Sequence, residues 1–188
     1  MWTAFSKGRD SVSEIYLTKI RKNSFRIGMG STLDVTVTRA MIEKYPILDA
    51  LCSEVINNCE EYALKALAPV LKAENAGKPS RYEYSVNISC TGHDEYRILF
   101  LTLQVILKRA GTPIKSTTFS CAADSETGYL ISDKYFFSHF VKLSEDLKKD
   151  HKIRKQLIRG KLAWFASDGS NIRLENGRLI GELVKPTA

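Results

Sequence analysis

Between Pro46 and Leu71, apolar residues recur at Leu48, Leu51, Cys52, Val55, Ile56, Cys59, Tyr62, Ala63, Ala66, Leu67, Val70 and Leu71, in steps of three and four. That period places them on one stripe of a single α-helix, about seven turns long. Pro46 suits the first turn, where its missing N–H costs nothing. Pro69 is expected to kink or fray the far end, and Asn75, Gly77 and Pro79 to stop it.

After the helix the apolar period changes to two. Tyr82, Tyr84, Val86 and Ile88 alternate with polar residues in RYEYSVNISC; EYRILFLTLQVILK is long and largely apolar; IKSTTFSCAA and GYLIS follow after short connections. Successive strands with short links imply an antiparallel meander, with the helix covering its apolar face. Ala110-Gly111-Thr112-Pro113 interrupts two of these stretches. Gly111 can take a positive φ and Pro113 cannot donate to a ladder, so the interruption reads as a hairpin turn.

Upstream, SVSEIYLTKIRKNSFRIGMGSTLDVTVTRAMI reads as two or three strands. Ile15, Leu17 and Ile20 lead, Asn23 and Gly28-Met29-Gly30 supply turns, and Leu33, Val35 and Val37 form a buried face. Near the C-terminus Asp168-Gly169 and Asn176-Gly177 mark turns, the second a tight hairpin. The expected fold is a single α+β domain over 1–188: an antiparallel meander sheet packed against one long amphipathic helix, with an N-terminal hairpin and a C-terminal basic helix plus hairpin. Residues 1–31 hold the N-terminal strands, 32–140 the strand-helix-meander core, and 141–188 the basic helical segment and closing hairpin.

The net charge of +7 is concentrated. From Lys142 to Lys161, eight lysines and arginines face Glu145, Asp146 and Asp150, a local excess of five. Ser144 is an N-cap candidate there, and Leu143, Leu147, Ile153, Leu157 and Ile158 are scattered apolar positions, as in a surface helix or two short ones. Lys148, Lys149, Lys152, Lys155 and Arg159 are the candidate anion-binding residues, for nucleic acid or another anionic surface. No aromatic residues are interleaved with them, as a single-strand binder would require.

Four cysteines lack any C-x-x-C spacing. Cys52 and Cys59 share a helix face at roughly 10 Å, too far to bridge, and Cys90 and Cys121 can pair only if their strands are neighbours. Four reduced core thiols suit a reducing compartment. The N-terminus MWTAFSKGRD has no secretory pattern, so a cytoplasmic location is expected, or an extracytoplasmic one if a leader or anchor has been removed. The longest apolar run, Ile98 to Leu107, is too short to span a membrane.

Catalytic patterns are sparse. Thr91-Gly92-His93-Asp94-Glu95 gathers three metal-ligand types, but neighbours in a turn point in different directions, so a hairpin turn is expected and no metal. No G-x-S-x-G, H-E-x-x-H, Walker loop or dinucleotide fingerprint occurs, and no cofactor is expected.

LDVTVTRAMIEKYPILDALCSEVINNCEEYA sets Tyr45-Pro46 and Ile56-Asn57-Asn58 after an alternating strand. FSCAADSETGYLISDKYFF carries Phe119, Asp124, Thr127, Gly128, Leu130, Asp133 and Phe136, and NIRLENGRLIGELVKP closes the chain with a strand pair. Over roughly Leu33 to Pro186 this pattern resembles a domain-of-unknown-function family found in lysozyme-sensing anti-sigma factors and in a peptidoglycan deacetylase. The resemblance implies a helix on an antiparallel sheet, usually extracytoplasmic, that binds rather than catalyses. Where that family commonly has glycines followed by Ala-His, this chain has Ala110-Gly111-Thr112-Pro113. A basic lysozyme is disfavoured as partner, because like charges repel across the ~8 Å screening length.

The expected function is therefore a non-catalytic binding or sensor module of bacterial type. Its partner would meet loops at one end of the sheet, through Lys108, Arg109, Thr112, Lys115, His93, Asp94 and Glu95. The alternatives are an anion- or nucleic-acid-binding accessory protein using 142–161, and a small hydrolase built from Asp124, Asp133, His93 or His139.

Overall fold

The computed structural model describes residues 17–27, 30–40, 45–73, 78–159, 162–166 and 170–186. The leading Ile15, the turns at Gly28-Met29 and Asp168-Gly169, the helix stops at Asn75 and Gly77, and Lys161 lie outside the described residues. The first part of the chain forms β1 (Leu17–Ile27), β2 (Ser31–Ala40), α1 (Pro46–Ala73), β3 (Arg81–His93), β4 (Ile98–Arg109), β5 (Thr112–Asp124) and β6 (Leu130–Ile131). Its six strands make one sheet in chain order. β1 and β2 form an antiparallel hairpin, and β3 to β6 form the antiparallel meander. β2 and β3 are parallel, from Thr32 beside Arg81 to Arg39 beside Ile88. Parallel neighbours need a long crossover, and α1 is that crossover.

The helix buries Leu48, Cys52, Ile56, Cys59, Ala63 and Leu67 against Leu33, Val35 and Val37 of β2 and against Tyr82, Tyr84, Val86 and Ile88 of β3. Each strand contributes every second residue, because its side chains alternate between faces. The buried stripe is narrower than the sequence implies. Leu51, Val55, Ala66 and Val70 are only partly covered, and Tyr62 and Leu71 are each 39% exposed. The strands beneath account for this: the inward residues of β2 and β3 are fully covered, whereas Leu101, Leu103 and Val105 of β4 are covered only in part. One flank of α1 thus overhangs the β4–β5 side without sealing it.

One local expectation is corrected. Asn23 is not a turn: β1 runs through it, and its side-chain amide donates to Glu60 on α1, which satisfies a polar group inside a strand. α1 continues through Pro69 to Ala73. Pro69 thus lies in its last turns, where it removes one N–H donor near the helix end.

The rest of the chain forms a second layer on the opposite face of the sheet. It comprises α2 (Asp133–His139), β7 (Val141–Leu143), α3 (Glu145–Lys149), α4 (His151–Ile158), β8 (Trp164–Ala166), β9 (Asn171–Leu174) and β10 (Leu179–Leu183). The four strands pair antiparallel in the order β7-β10-β9-β8, and Asn176-Gly177 lies in the β9–β10 hairpin as expected. Ile98 and Phe100 of β4 and Ala122 of β5 point into this layer and join its core. Trp164 is its centre: the indole stacks on Phe136 at 4.8 Å and meets Phe137 and Phe100 edge-on at 5.5 and 6.0 Å. Its Nε1 donates to Asp133 at 3.1 Å, so the one polar atom of the ring is paired. Among the described residues no helix is long and apolar enough to cross a membrane.

Candidate functional site

The basic segment folds as two short helices. Ser144 stands at the N-cap of α3, but its carbonyl, rather than its hydroxyl, takes the N–H groups of Leu147 and Lys148. Asp150 breaks the run. Its backbone is extended, and its carboxylate accepts the N–H groups of Lys152 and Ile153 at 3.1 and 3.2 Å, capping α4. Arg178, beyond the β9–β10 turn, donates to the same carboxylate at 3.1 Å. The Ile153 amide and then the Arg178 guanidinium hold the Asp150 carboxyl below the ordinary aspartate range.

This cap fixes which way α4 faces. Ile153 and Leu157, four apart, are buried in the second core beside Leu147 of α3. Lys152, Lys155 and Arg159 then fall on the opposite ridge, because each step turns the helix by about 100°. All three are exposed, as are Lys148, Lys149, His151 and Arg154. Lys148 is paired with Glu145 at 2.5 Å, and Arg154 reaches the Lys148 carbonyl at 3.4 Å. Among the described residues, Lys149, Lys152, Lys155 and Arg159 make no ion pair. His151, Lys152, Arg154, Lys155 and Arg159 line an open cleft of about 560 Å³. Three of the five candidate anion-binding residues, Lys152, Lys155 and Arg159, therefore share one solvated cleft, while Lys148 and Lys149 are exposed at the end of α3.

The loop residues expected to share a second surface do not. His93 ends β3 and Asp94 and Glu95 lie in the 3-10 turn before β4, while Lys108 and Arg109 end β4 and Thr112 and Lys115 begin β5. The register runs from His93 beside Ile98 to Tyr82 beside Arg109, so the two groups sit at opposite ends of β4. At about 3.4 Å per residue they are roughly 37 Å apart. Consecutive hairpins in a meander necessarily turn at opposite ends. The Ala110-Gly111 connection is a two-residue turn with φ of 47° and 82°, the signature of a tight hairpin with both central residues left-handed. Glu95 pairs with Lys185 at 2.9 Å, and the His93 ring packs against Phe100 at 5.4 Å.

The carboxylates and histidines of the hydrolase reading each have structural work. Asp124 accepts the N–H groups of Glu126 and Thr127 and the Thr127 hydroxyl, at 3.0, 2.8 and 2.8 Å. The Thr127 bonds in particular pull its carboxyl below the usual range. Gly128 completes this D-x-x-T-G loop because Tyr45 lies against it: an added Cβ would come within 2.8 Å of the Tyr45 ring. The Tyr45 hydroxyl donates to the Ser125 carbonyl at 2.6 Å. Asp133 holds Trp164, and His139 stacks on Tyr135 at 4.0 Å. Asp133 and His139 begin and end α2, about 9 Å apart along its axis. Among the described residues no three His, Cys, Asp or Glu side chains converge as metal ligands.

Cys90 and Cys121 flank Leu101 from β3 and β5, two strand spacings or about 9.5 Å apart, beyond disulfide reach. No disulfide joins the four cysteines, and burial pushes the thiols of Cys52, Cys90 and Cys121 up to about 11. Thiols raised in this way stay protonated at neutral pH.

One feature escaped the sequence reading. Beneath the overhanging flank of α1 lies an apolar cleft of about 250 Å³, lined by Val55, Tyr62, Leu101, Leu103 and Phe119 among others. Phe119, 41% exposed in a strand otherwise rich in Ser and Thr, was its available signal. Comparison of the chain with protein-family models gives no match, and comparison with curated proteins gives none either.

Proposed function

We propose that the protein is a non-catalytic binding module that holds a polyanionic partner, a nucleic-acid backbone, on the α3–α4 face. The carrying observation is the ridge of Lys152, Lys155 and Arg159, which is exposed and without a counter-charge among the described residues, with Lys149 likewise exposed at the end of α3. Unpaired cations beside one another raise the local potential, and a row of phosphates lowers it by releasing its own condensed counterions. The ridge is held rigidly, because Ile153 and Leu157 anchor the other side of α4 and Asp150 caps its start. Contacts of this kind read charge and spacing rather than base identity.

Two further points support binding over catalysis. Asp124, Asp133 and His139 are occupied in a loop, an indole bond and a ring stack, respectively. The family resemblance of the FSCAADSETGYLISDKYFF stretch points the same way.

The test is a titration of a labelled short DNA duplex at increasing salt. Four phosphate contacts correspond to a slope of log K against log salt of about −3.6. Binding that is indifferent to salt would contradict the proposal.

A further inference from the structure

β5 is an edge strand for most of its length. β6 pairs only with Ala122 and Ala123, and among the described residues no other strand pairs with the outer side of β5. Two hydrogen bonds at its end fix the direction of its backbone groups. The Asp124 N–H donates outward to the Tyr129 carbonyl at 2.9 Å, and the Ser125 N–H donates inward to the Arg97 carbonyl at 3.0 Å. Backbone direction alternates along a strand, so Ser116 and Thr118 present N–H and C=O outward while Thr117 and Phe119 bond β4. Ser120 also faces outward but is buried, with its hydroxyl against the Ala166 N–H of β8.

Exposed edges are normally blunted by charge, proline or a bulge. Here Pro113 and the bulge at Ile114 guard one end of β5, and β8 guards the other. Among the described residues, no strand pairs with the edge from Ser116 to Phe119 between them. On the α1 side it adjoins the 250 Å³ cleft through Phe119, and a second cleft of about 190 Å³ continues past Thr117 to Lys115.

We propose that this edge receives an extended segment of a partner protein as an added strand, antiparallel to β5. Bare alternating amides and carbonyls select an extended backbone over a helix or a small apolar molecule. The occupant's side chains on the α1 side follow from the cleft: an apolar residue opposite Phe119, a β-branched one opposite Thr117, and a carboxylate opposite Lys115. A carboxylate complements Lys115, which is exposed and has no acid on β5 between Thr112 and Ala123. A second copy pairing edge to edge about Thr117 would set Lys115 against Phe119 and supply no such carboxylate. The surface lies on the sheet face opposite the layer that carries α4, and is independent of the polyanion site.

The test uses a fluorescein-labelled, C-terminally amidated peptide Leu-Thr-Val-Thr-Glu and the full chain. Thr118→Pro removes an outward donor while leaving the β4 ladder intact. Wild type is expected to raise the peptide's anisotropy, Thr118→Pro to weaken binding about ten-fold, and Lys115→Glu to weaken it with recovery by a peptide ending in Lys. A peptide N-methylated at the residue opposite Thr118 removes the reciprocal bond, from the peptide N–H to the Thr118 carbonyl, on the wild-type chain, should the proline variant not fold. Equal binding by Thr118→Pro and by the N-methyl peptide would overturn the proposal, as would no binding to a monomeric wild-type chain. A wild-type dimer dissociated by Thr118→Pro would also overturn it and assign the edge to a second copy.

Discussion

Leu67 and Leu64 lie three residues apart on α1, yet the first is 1% exposed within the main core and the second 51% exposed. Replacing each with alanine removes the same atoms from the same helix, so propensity and chain-entropy effects nearly cancel between the two variants. What remains is burial. Leu67→Ala loses the transfer energy of a fully covered isobutyl group and leaves a cavity beneath α1, at a cost of about 3 kcal/mol. Leu64→Ala removes contacts mostly with water and should stay within about 0.5 kcal/mol of wild type. For a domain of this size, the first corresponds to a fall in Tm of about 6–12 °C, measurable by calorimetry or by circular dichroism at 222 nm. Equal losses in both variants, or a larger loss at Leu64, would mean that α1 is rotated from the orientation on which the cleft and the core both depend.

Ala110 holds φ at 47° without being glycine, so Ala110→Gly should stabilise the β4–β5 hairpin by about 0.5–1 kcal/mol in urea unfolding; a loss of stability would contradict the tight-turn geometry. The Asp124 carboxyl sits below its unfolded range, so its contribution is present above the unfolded pKa of about 3.9 and is lost as pH falls through the lower folded value. The Tm difference between wild type and Asp124→Ala should accordingly be largest near neutrality and shrink below about pH 4, and a difference that grew on acidification would refute this reading. With thiols raised to about 11, Cys52, Cys90 and Cys121 should resist alkylation in the native protein at pH 7.5 and react fully in denaturant, with half-buried Cys121 fastest of the three; mass spectrometry of a timed iodoacetamide reaction distinguishes these from exposed, reactive thiols.

The elements that one chain segment determines alone were legible in the sequence. Leu33, Val35 and Val37 alternate because β2 has one buried face, and all three are fully covered. The α1 period was equally plain, though Tyr62 and Leu71 belong to its exposed side because the sheet beneath is covered unevenly. Relations between segments were not legible. Alternation is silent about strand direction, so the parallel β2–β3 pair could not be distinguished from an antiparallel one. Asp133 looked like a catalytic carboxylate because nothing in its neighbourhood names Trp164, its partner thirty-one residues later. The break between α3 and α4 had a local signal in Asp150, a good N-cap residue standing before His151 and Ile153. The separation of His93–Glu95 from Lys108–Lys115 was already implied by the meander, whose successive turns alternate between ends of the sheet.

The proposed binding surface is the basic ridge of Lys152, Lys155 and Arg159 on α4. Backbone-amide chemical shifts of the ¹⁵N-labelled chain, followed while a short DNA duplex is added, test it most directly. The predicted result is a set of salt-sensitive shifts concentrated from Lys148 to Arg159, abolished when Lys152, Lys155 and Arg159 are replaced with glutamine. Shifts centred instead on Gly92–Glu95 or on Ala110-Gly111, or a full response in the triple variant, would contradict it.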